Sequence, residues 1–520
     1  MKLKKSLVLF CTMLLAIFLL AACGDDNNES APNNNGGGEN ANQQNDGNDS
    51  NDANADDDSG EPTKISIMTK LHTPEVPDDK VLKAIEEAAN VELDIEWVPD
   101  NNYADKLNVA FSTGTFAQAV TVGDNQIDQF KEAIRDGQFW EIGPYLNEYE
   151  NLSNLKEAIV ENTKVDGKVY SLYQGRPLSR QGIIYRKDWA DNLGIEAPTT
   201  IEEFYEMNRA FTEDDPDGNG KDDTIGLADR ADLVYGVFKT IASWHGTPNN
   251  WGEQDGEILP EFMFPEYMDS MNFIKDLRDN GYMNQDFPVT SKEDQQDMVK
   301  NGTAGIYVGA MVDILGLYND AIELNPDLEY DVQNYIEGPS GEFTVWAIPG
   351  YNNEILFPKS AIETEEELKA ILAFYDKMMT PELSNLAQWG IEGEHYTVED
   401  GFAVVDEDQS KIEREVFPFN MLNIGEPETN GRYESKHTYE PRQKVEDLIL
   451  ENENHLIHDP TNTLESDTFI RDGERLQEII NDATVNYMLG EIDEDGFNKE
   501  VEKWKEQGGN DIIAEFNASR

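Results

Sequence analysis

The stretch TKISIMTK (63–70) alternates polar and apolar side chains with period two and is rich in β-branched residues, which predicts a strand. The next apolar positions, Val81, Leu82, Ile85 and Ala88, recur at helical spacing, and VELDIEWV (91–98) returns to alternation. YADKLNVAFSTGT (103–115) reads as a helix with a glycine stop. AQAVTVGD (117–124) reads as a strand, and NQIDQFKEAIRDGQFWEI (125–142) as a helix closed by Gly137. This strand–helix–strand alternation predicts a parallel or mixed α/β sheet.

Further helices follow the same signals. Thr200 with Glu203, and Thr364 with Glu367, have the spacing of a capping box. DLVYGVFKTIASWHG (232–246) puts Leu233, Val237, Ile241 and Trp244 on one side of a helix expected to begin near Asp232. PEYMDSMNFIKDLRDNGY (265–282) predicts a helix ending at Gly281. No internal repeat of solenoid period is present.

The N-terminus changes the setting. A basic MKLKKS precedes the apolar LVLFCTMLLAIFLLAAC, a secretory signal too short for a comfortable bilayer span. Its end, Leu20-Ala21-Ala22-Cys23, resembles the lipobox of bacterial lipoproteins, which implies cleavage after residue 22 and lipidation of Cys23. The chain's only other cysteine, Cys11, lies within the signal, so the mature protein has no disulfide. Residues 24–62 carry no aromatic residue and almost nothing apolar. Such a segment cannot offset its chain entropy and reads as a disordered acidic linker. No later run is apolar enough to span a membrane. The expectation is a protein tethered at the extracytoplasmic face of the cell membrane.

Residues 63–520 are too many for one core and suit two large lobes. The chain has 105 acidic and 40 basic residues, a balance that excludes nucleic acid as a partner and suits an acidic, solvated surface.

DDPDGNGKDDTIG (214–226) carries candidate metal chemistry. With Asp215 in the first position, Asp217, Asn219 and Asp223 fall on alternating ligand positions, and Lys221 offers a backbone carbonyl. Gly220 supplies the sharp turn. Hard Ca²⁺ takes six to eight oxygens at such spacing. The twelfth position, normally a bidentate glutamate, is Gly226, so Thr224 or a remote oxygen must complete the shell. The pattern points to structural calcium rather than to a sensor.

No H-E-x-x-H, G-x-S-x-G or phosphate-loop motif occurs, and the six histidines show no ligand spacing. Among so many acids no carboxylate pair stands out, so nothing marks a catalytic site. Trp244, Trp251, Trp346 and Trp389 sit beside Gly, Pro or Asn in SWHGTPNNWGE, FTVWAIPG and QWGIEGEHYT. An indole in a loop offers a flat apolar face and one donor, which suits the C–H face and hydroxyl rim of a sugar.

DGKVYSLYQGRP (166–177), the block from Ile183 to Leu227, GTPNNW (246–251), residues 357–382 and WGIEGEHYT (389–397) together resemble the family 1 extracellular solute-binding lipoproteins of bacterial ABC importers, in the large oligosaccharide-binding branch. The resemblance spans nearly all of residues 63–520. It implies a type II periplasmic-binding-protein-like fold: two discontinuous α/β lobes, a hinge and a ligand cleft. The lobes are expected at 63–174 with 346–400, and at 175–345 with 401–520. It also implies that the calcium loop is a staple away from the cleft. Arg176, just after the first crossing, is expected to hydrogen-bond vicinal hydroxyls or a uronic carboxylate, with Tyr185 nearby. The implied function is capture of an oligosaccharide and delivery to membrane permease subunits powered by a separate cytosolic ATPase, by a monomer that does no chemistry. The alternatives are a surface-anchored glycoside hydrolase and a calcium-dependent adhesin.

Overall fold

The computed structural model describes residues 62–520, apart from 124, 125 and 407. The signal segment, Cys23 and the linker up to residue 61 lie outside the described residues.

The chain runs through β1 (Thr63–Leu71), β2 (Val91–Pro99), β3 (Ala119–Gly123) and β4 (Ser171–Gly175). It then crosses to β5 (Gln181–Arg186) and β6 (Ile225–Ala228), forms a hairpin of β7 (Trp251–Gln254) and β8 (Glu257–Pro260), and continues through β9 (Ala304–Ala310) and β10 (Tyr330–Gln333). It returns by β11 (Val345–Trp346) to β12 (Tyr351–Leu356). Two main sheets result, one in the order β2-β1-β3-β12-β4 and one in the order β10-β5-β9-β6. In the first, β1 runs parallel to β2 and β3, while β12 is antiparallel to β3 and β4.

The inner strands of each sheet are buried on both faces, as crossover helices require, while β2 at the edge exposes Glu92, Asp94 and Glu96. Period-two alternation decides which side chain enters which core. Ile65 and Ile67 pack in one core with Leu172 and Ile355, whereas Met68 packs on the opposite face with Val120, Val122 and Leu356. In the second sheet Ile183, Ile306 and Val308 face one core, and Ile184, Tyr307 and Val332 the other.

Local signals hold at the helix ends. Thr364 and Glu367 form a complete capping box on helix Glu365–Met378. Thr200 accepts the Glu203 N–H at 3.2 Å, but the Glu203 carboxylate turns to Thr199, so that box is half made. Two expectations change. The helix expected from Asp232 begins only at Val237, because Asp232 and Gly236 lock the intervening residues in a turn described below. Residues 401–520, expected to form part of the second lobe, divide by packing. Val416, Phe419, Leu422 and Ile424 join the first sheet's core, while Val445, Ile449, Leu476 and Trp504 join the second's.

Candidate ligand cleft

The topology brings particular strand ends together. β1, β3 and β4 end, and β12 begins, at one end of the first sheet. β6, β9 and β10 end, and β5 begins, at one end of the second. The 176–180 segment joins these two ends directly. In open α/β sheets ligands sit outside the carboxyl ends of the strands. The crossing is reinforced by a second segment. Arg176 N–H donates to Gly350 O, and Ile348 N–H to Leu178 O, both at 2.8 Å. β11 pairs in parallel with Leu456–Ile457, and Asn249 Nδ2 donates to both Ala347 O (2.7 Å) and Ile457 O (3.0 Å).

Above the second sheet, residues 231–236 form a braced turn. Asp232 Oδ1 accepts the N–H groups of Val234 and Tyr235, each at 3.0 Å. Gly236 N–H donates to Asp232 O at 2.8 Å, and a Cβ on Gly236 would stand 2.2 Å from that oxygen. Arg230 ties the turn down through Gln295 Oε1 (3.0 Å) and Tyr235 O. Beneath it, Asp229 Oδ1 accepts the Arg230 (2.7 Å) and Val237 (3.0 Å) N–H groups, and full burial pushes its carboxyl up to about 7. The turn presents Tyr235, 47% exposed, edge-on to the buried Trp346, with ring centroids 5.6 Å apart. Trp346 Nε1 donates to Thr240 Oγ1 at 3.2 Å, and Thr240 Oγ1 to Gln181 Oε1 at 3.4 Å.

The first sheet contributes a chain of amides. Lys70 Nζ donates to Asn353 Oδ1 (2.7 Å), Asn353 Nδ2 to Gln174 Oε1 (2.8 Å), and Gln174 Nε2 to Met421 O (2.6 Å). This row crosses the ends of β1, β12 and β4.

The six residues expected to touch ligand separate into groups. Arg176 and Trp346 lie at the crossing. Tyr185 does not serve: it is buried in β5, and its hydroxyl donates to Asp331 Oδ2 at 3.2 Å. Trp244 is core, 1% exposed and edge-on to Phe204, packed in the same core as Val237 and Ile241. Trp251 packs edge-on to Phe516 and, with Phe262 and Phe469, lines a cavity of about 420 Å³ that also includes Leu233 and Val234 of the braced turn. Trp389 is half-buried, and its indole donates to Tyr433 O at 2.9 Å. Tyr235, packed against Trp346, and Arg180, on the crossing segment, were not among the expected residues. The Asp232-to-Gly236 spacing was the signal for the turn, and it lost to a helical periodicity.

The 215–223 loop brings together most of the side chains expected to hold a cation. Asp215 takes a left-handed conformation (φ +47°), and its carboxylate accepts the Gly220 N–H at 3.0 Å. Asn219 Nδ2 donates to Asp217 Oδ2 (2.6 Å) and Asp223 Oδ1 (3.0 Å), so these side chains converge on one point. Thr224 does not: it is buried, and its hydroxyl donates to Phe211 O at 2.9 Å. Gly226 cannot be the usual glutamate, since a Cβ there would meet Asn208 Cα at 2.6 Å. The loop feeds the start of β6, at the opposite end of that strand from the crossing. Among the described residues, one group of metal-type side chains also lies at Glu394, His395 and Glu415. There His395 Nδ1 accepts the Ile391 N–H (2.9 Å) and Nε2 faces Glu415 (3.2 Å), so both ring nitrogens are engaged in holding a loop.

Comparison with known proteins agrees with this architecture. The family model described as bacterial extracellular solute-binding protein matches residues 73–382. A Bacillus subtilis protein named polygalacturonan/rhamnogalacturonan-binding protein YtcQ is 46% identical over 87% of this chain and 90% of its own. Lipoprotein LipO of the same organism is 37% identical over 88% and 92%. A solved HMO-binding, ABC-transporter-associated solute-binding protein from Bifidobacterium longum infantis superposes with a TM-score of 0.67 at 15% identity, covering 88% of this chain and 98% of that one. An EF-hand mutant of the Streptococcus pneumoniae ABC-transporter substrate-binding protein FusA, solved with fructo-nystose, gives 0.60 at 17% identity over the same shares. Two α/β sheets joined at their strand ends, with matches of this extent, lead to one conclusion: the chain belongs to the bacterial extracellular solute-binding proteins and has their two-lobed fold.

Proposed function

We propose that this protein is the receptor of a bacterial sugar importer, holding an oligosaccharide between its two lobes and handing it to permease subunits driven by a separate ATPase. The observation that carries this reading is the exposed Tyr235 ring braced over Trp346 at the crossing. It offers an apolar face beside backbone and amide hydrogen-bonding groups, the pairing a sugar requires. The name of the relative at 46% identity supports a saccharide that is bound rather than cleaved, and the ABC-transporter descriptions of the solved neighbours support the import role. The first lobe would comprise the first sheet with residues 351–424, and the second lobe the second sheet with the C-terminal helices. Ligand would favour closure about the 176–180 and 345–350 segments.

Calcium would be held by Asp215, Asp217, Asn219, the Lys221 carbonyl and Asp223, stapling the entry to β6; the EF-hand named in the FusA structure supports this. Anchoring would be through lipid on Cys23, as the name of LipO supports. Among the described residues no helix is long and apolar enough to cross a membrane.

Titration of the purified mature chain with a panel of neutral and uronic oligosaccharides, followed by tryptophan fluorescence and calorimetry, tests the reading. Saturable binding of at least one is expected. Silence across the panel would refute it.

A further inference from the structure

In a chain with 105 acidic residues, an arginine without an acidic partner is an anomaly. Among the described residues, every arginine lies within salt-bridge distance of a carboxylate except Arg176, Arg180 and Arg432. Arg432 has the charges of Glu426 and Glu428 near it. Arg176 and Arg180 have each other instead. Both are half-buried on the five-residue segment that joins the ends of the two sheets. Their guanidinium groups make no hydrogen bond to any described residue, although the backbone of each is fixed: Arg176 N–H to Gly350 O at 2.8 Å, and Arg180 O from Met311 N–H at 2.9 Å.

The local chemistry keeps the pair free. The one acid whose charge acts on Arg180, Asp313, is already taken by Tyr307 Oη (2.8 Å) and Lys292 Nζ (3.1 Å). Burial and the Arg176 charge both depress the basicity of Arg180, and Asp313 and Tyr235 offset them only in part. Tyr235 is close enough for its hydroxyl to act on the same guanidinium, so the pair and the aromatic platform border one space.

We propose that Arg176 and Arg180 read the carboxylates of an acidic oligosaccharide, so that the ligand of this cleft is a uronic-acid chain rather than a neutral sugar. This rests on the reading of the cleft as a saccharide site and deepens it. Neutral hydroxyls can accept hydrogen bonds from guanidinium but supply no countercharge to two neighbouring cations. A carboxylate supplies both, with the bidentate geometry that guanidinium matches. The strongly acidic surface gives the pair a further role. It repels polyanions in general, so a fixed pair of positive charges inside the cleft admits only an anion whose carboxylates fall in register with it.

Calorimetric titration of the mature chain would compare an oligo-uronate, its methyl ester, a neutral oligosaccharide of equal length, and citrate as a free carboxylate. The oligo-uronate is expected to bind at least roughly tenfold more tightly than the ester or the neutral chain, with no saturable citrate binding. Arg180→Gln and Arg176→Gln should each weaken oligo-uronate binding by roughly ten- to a hundredfold and weaken binding of the ester far less, so that the preference for acid over ester is lost. Arg180→Lys should recover part of the loss. Equal affinity for ester and acid in the unmodified protein, or unchanged uronate binding in both glutamine variants, would overturn the assignment while leaving the saccharide reading intact. Citrate binding as tightly as the oligo-uronate would also overturn it. Failure of every saccharide would remove the underlying reading as well.

Discussion

Tyr235 stands edge-on to Trp346, with ring centroids 5.6 Å apart and planes at 63°, one ring nearly half exposed and the other buried. The exposed ring costs the folded chain little to lose, while the buried one reports on it. Tyr235→Ala should therefore weaken sugar binding about tenfold and leave the unfolding midpoint nearly unchanged. Gly236→Ala should do both kinds of damage, since its new methyl collides with Asp232 O and opens the turn. Calorimetry with thermal unfolding separates the two. A Tyr235→Ala protein that binds normally would mean that the ring is not part of the site.

Two of the expected tryptophans make a paired test. The Trp244 indole N–H has no hydrogen-bond partner, so Trp244→Phe loses packing alone, on the order of 1–2 kcal/mol of stability, and no affinity. Trp346→Phe breaks the bond to Thr240 and should disturb both. Denaturant unfolding and ligand titration of both variants check this. Lost affinity in Trp244→Phe would contradict the placement of that ring in the core.

Asp229 gives a pH dependence of definite sign. Burial raises its carboxyl from 3.8 to about 7, so the folded chain keeps a proton that the unfolded chain releases. Its contribution is full below 3.8 and is lost as pH rises through about 7. Asn at this position retains the oxygen that accepts the Arg230 and Val237 N–H groups. Relative to Asp229→Asn, the unmodified chain should lose on the order of a few kcal/mol between about pH 4 and about pH 7, measured by urea unfolding at both ends of that range. Parallel pH profiles would rule the effect out.

Calcium should raise the unfolding midpoint by binding only the folded loop, by roughly 2.7 kcal/mol at a hundredfold excess over its Kd. Asp217→Ala should abolish the response. Thr224→Val should keep it, because that hydroxyl is spent on Phe211 O. A thermal shift series with calcium and EDTA reads all three. A calcium response that survives Asp217→Ala would place the ion elsewhere.

Strands β1 and β2, the capped helix at Glu365 and the acidic loop at 215–223 were legible because each rests on contacts within a few residues. Alternation, a Thr-x-x-Glu cap and alternating oxygens are local facts. The cleft was only half legible. Arg176 was expected at the crossing from its place in the sequence, whereas Arg180 carried no signal until the folded chain showed that Asp313, the acid near it, was already taken. Trp244 lies on the predicted helical stripe with Val237 and Ile241 and is buried with them, whereas the close approach of Gly236 to Asp232 O holds Tyr235 in a turn ahead of the helix, where its ring is exposed.

By itself the sequence determined the α/β class and the acidic character of the chain, since composition and short-range pattern suffice for these. Only the tertiary structure decided which aromatics are buried, which is exposed at the crossing, and which charges stay unpaired. Those depend on which residues, distant along the chain, are brought close enough to compete for the same partners.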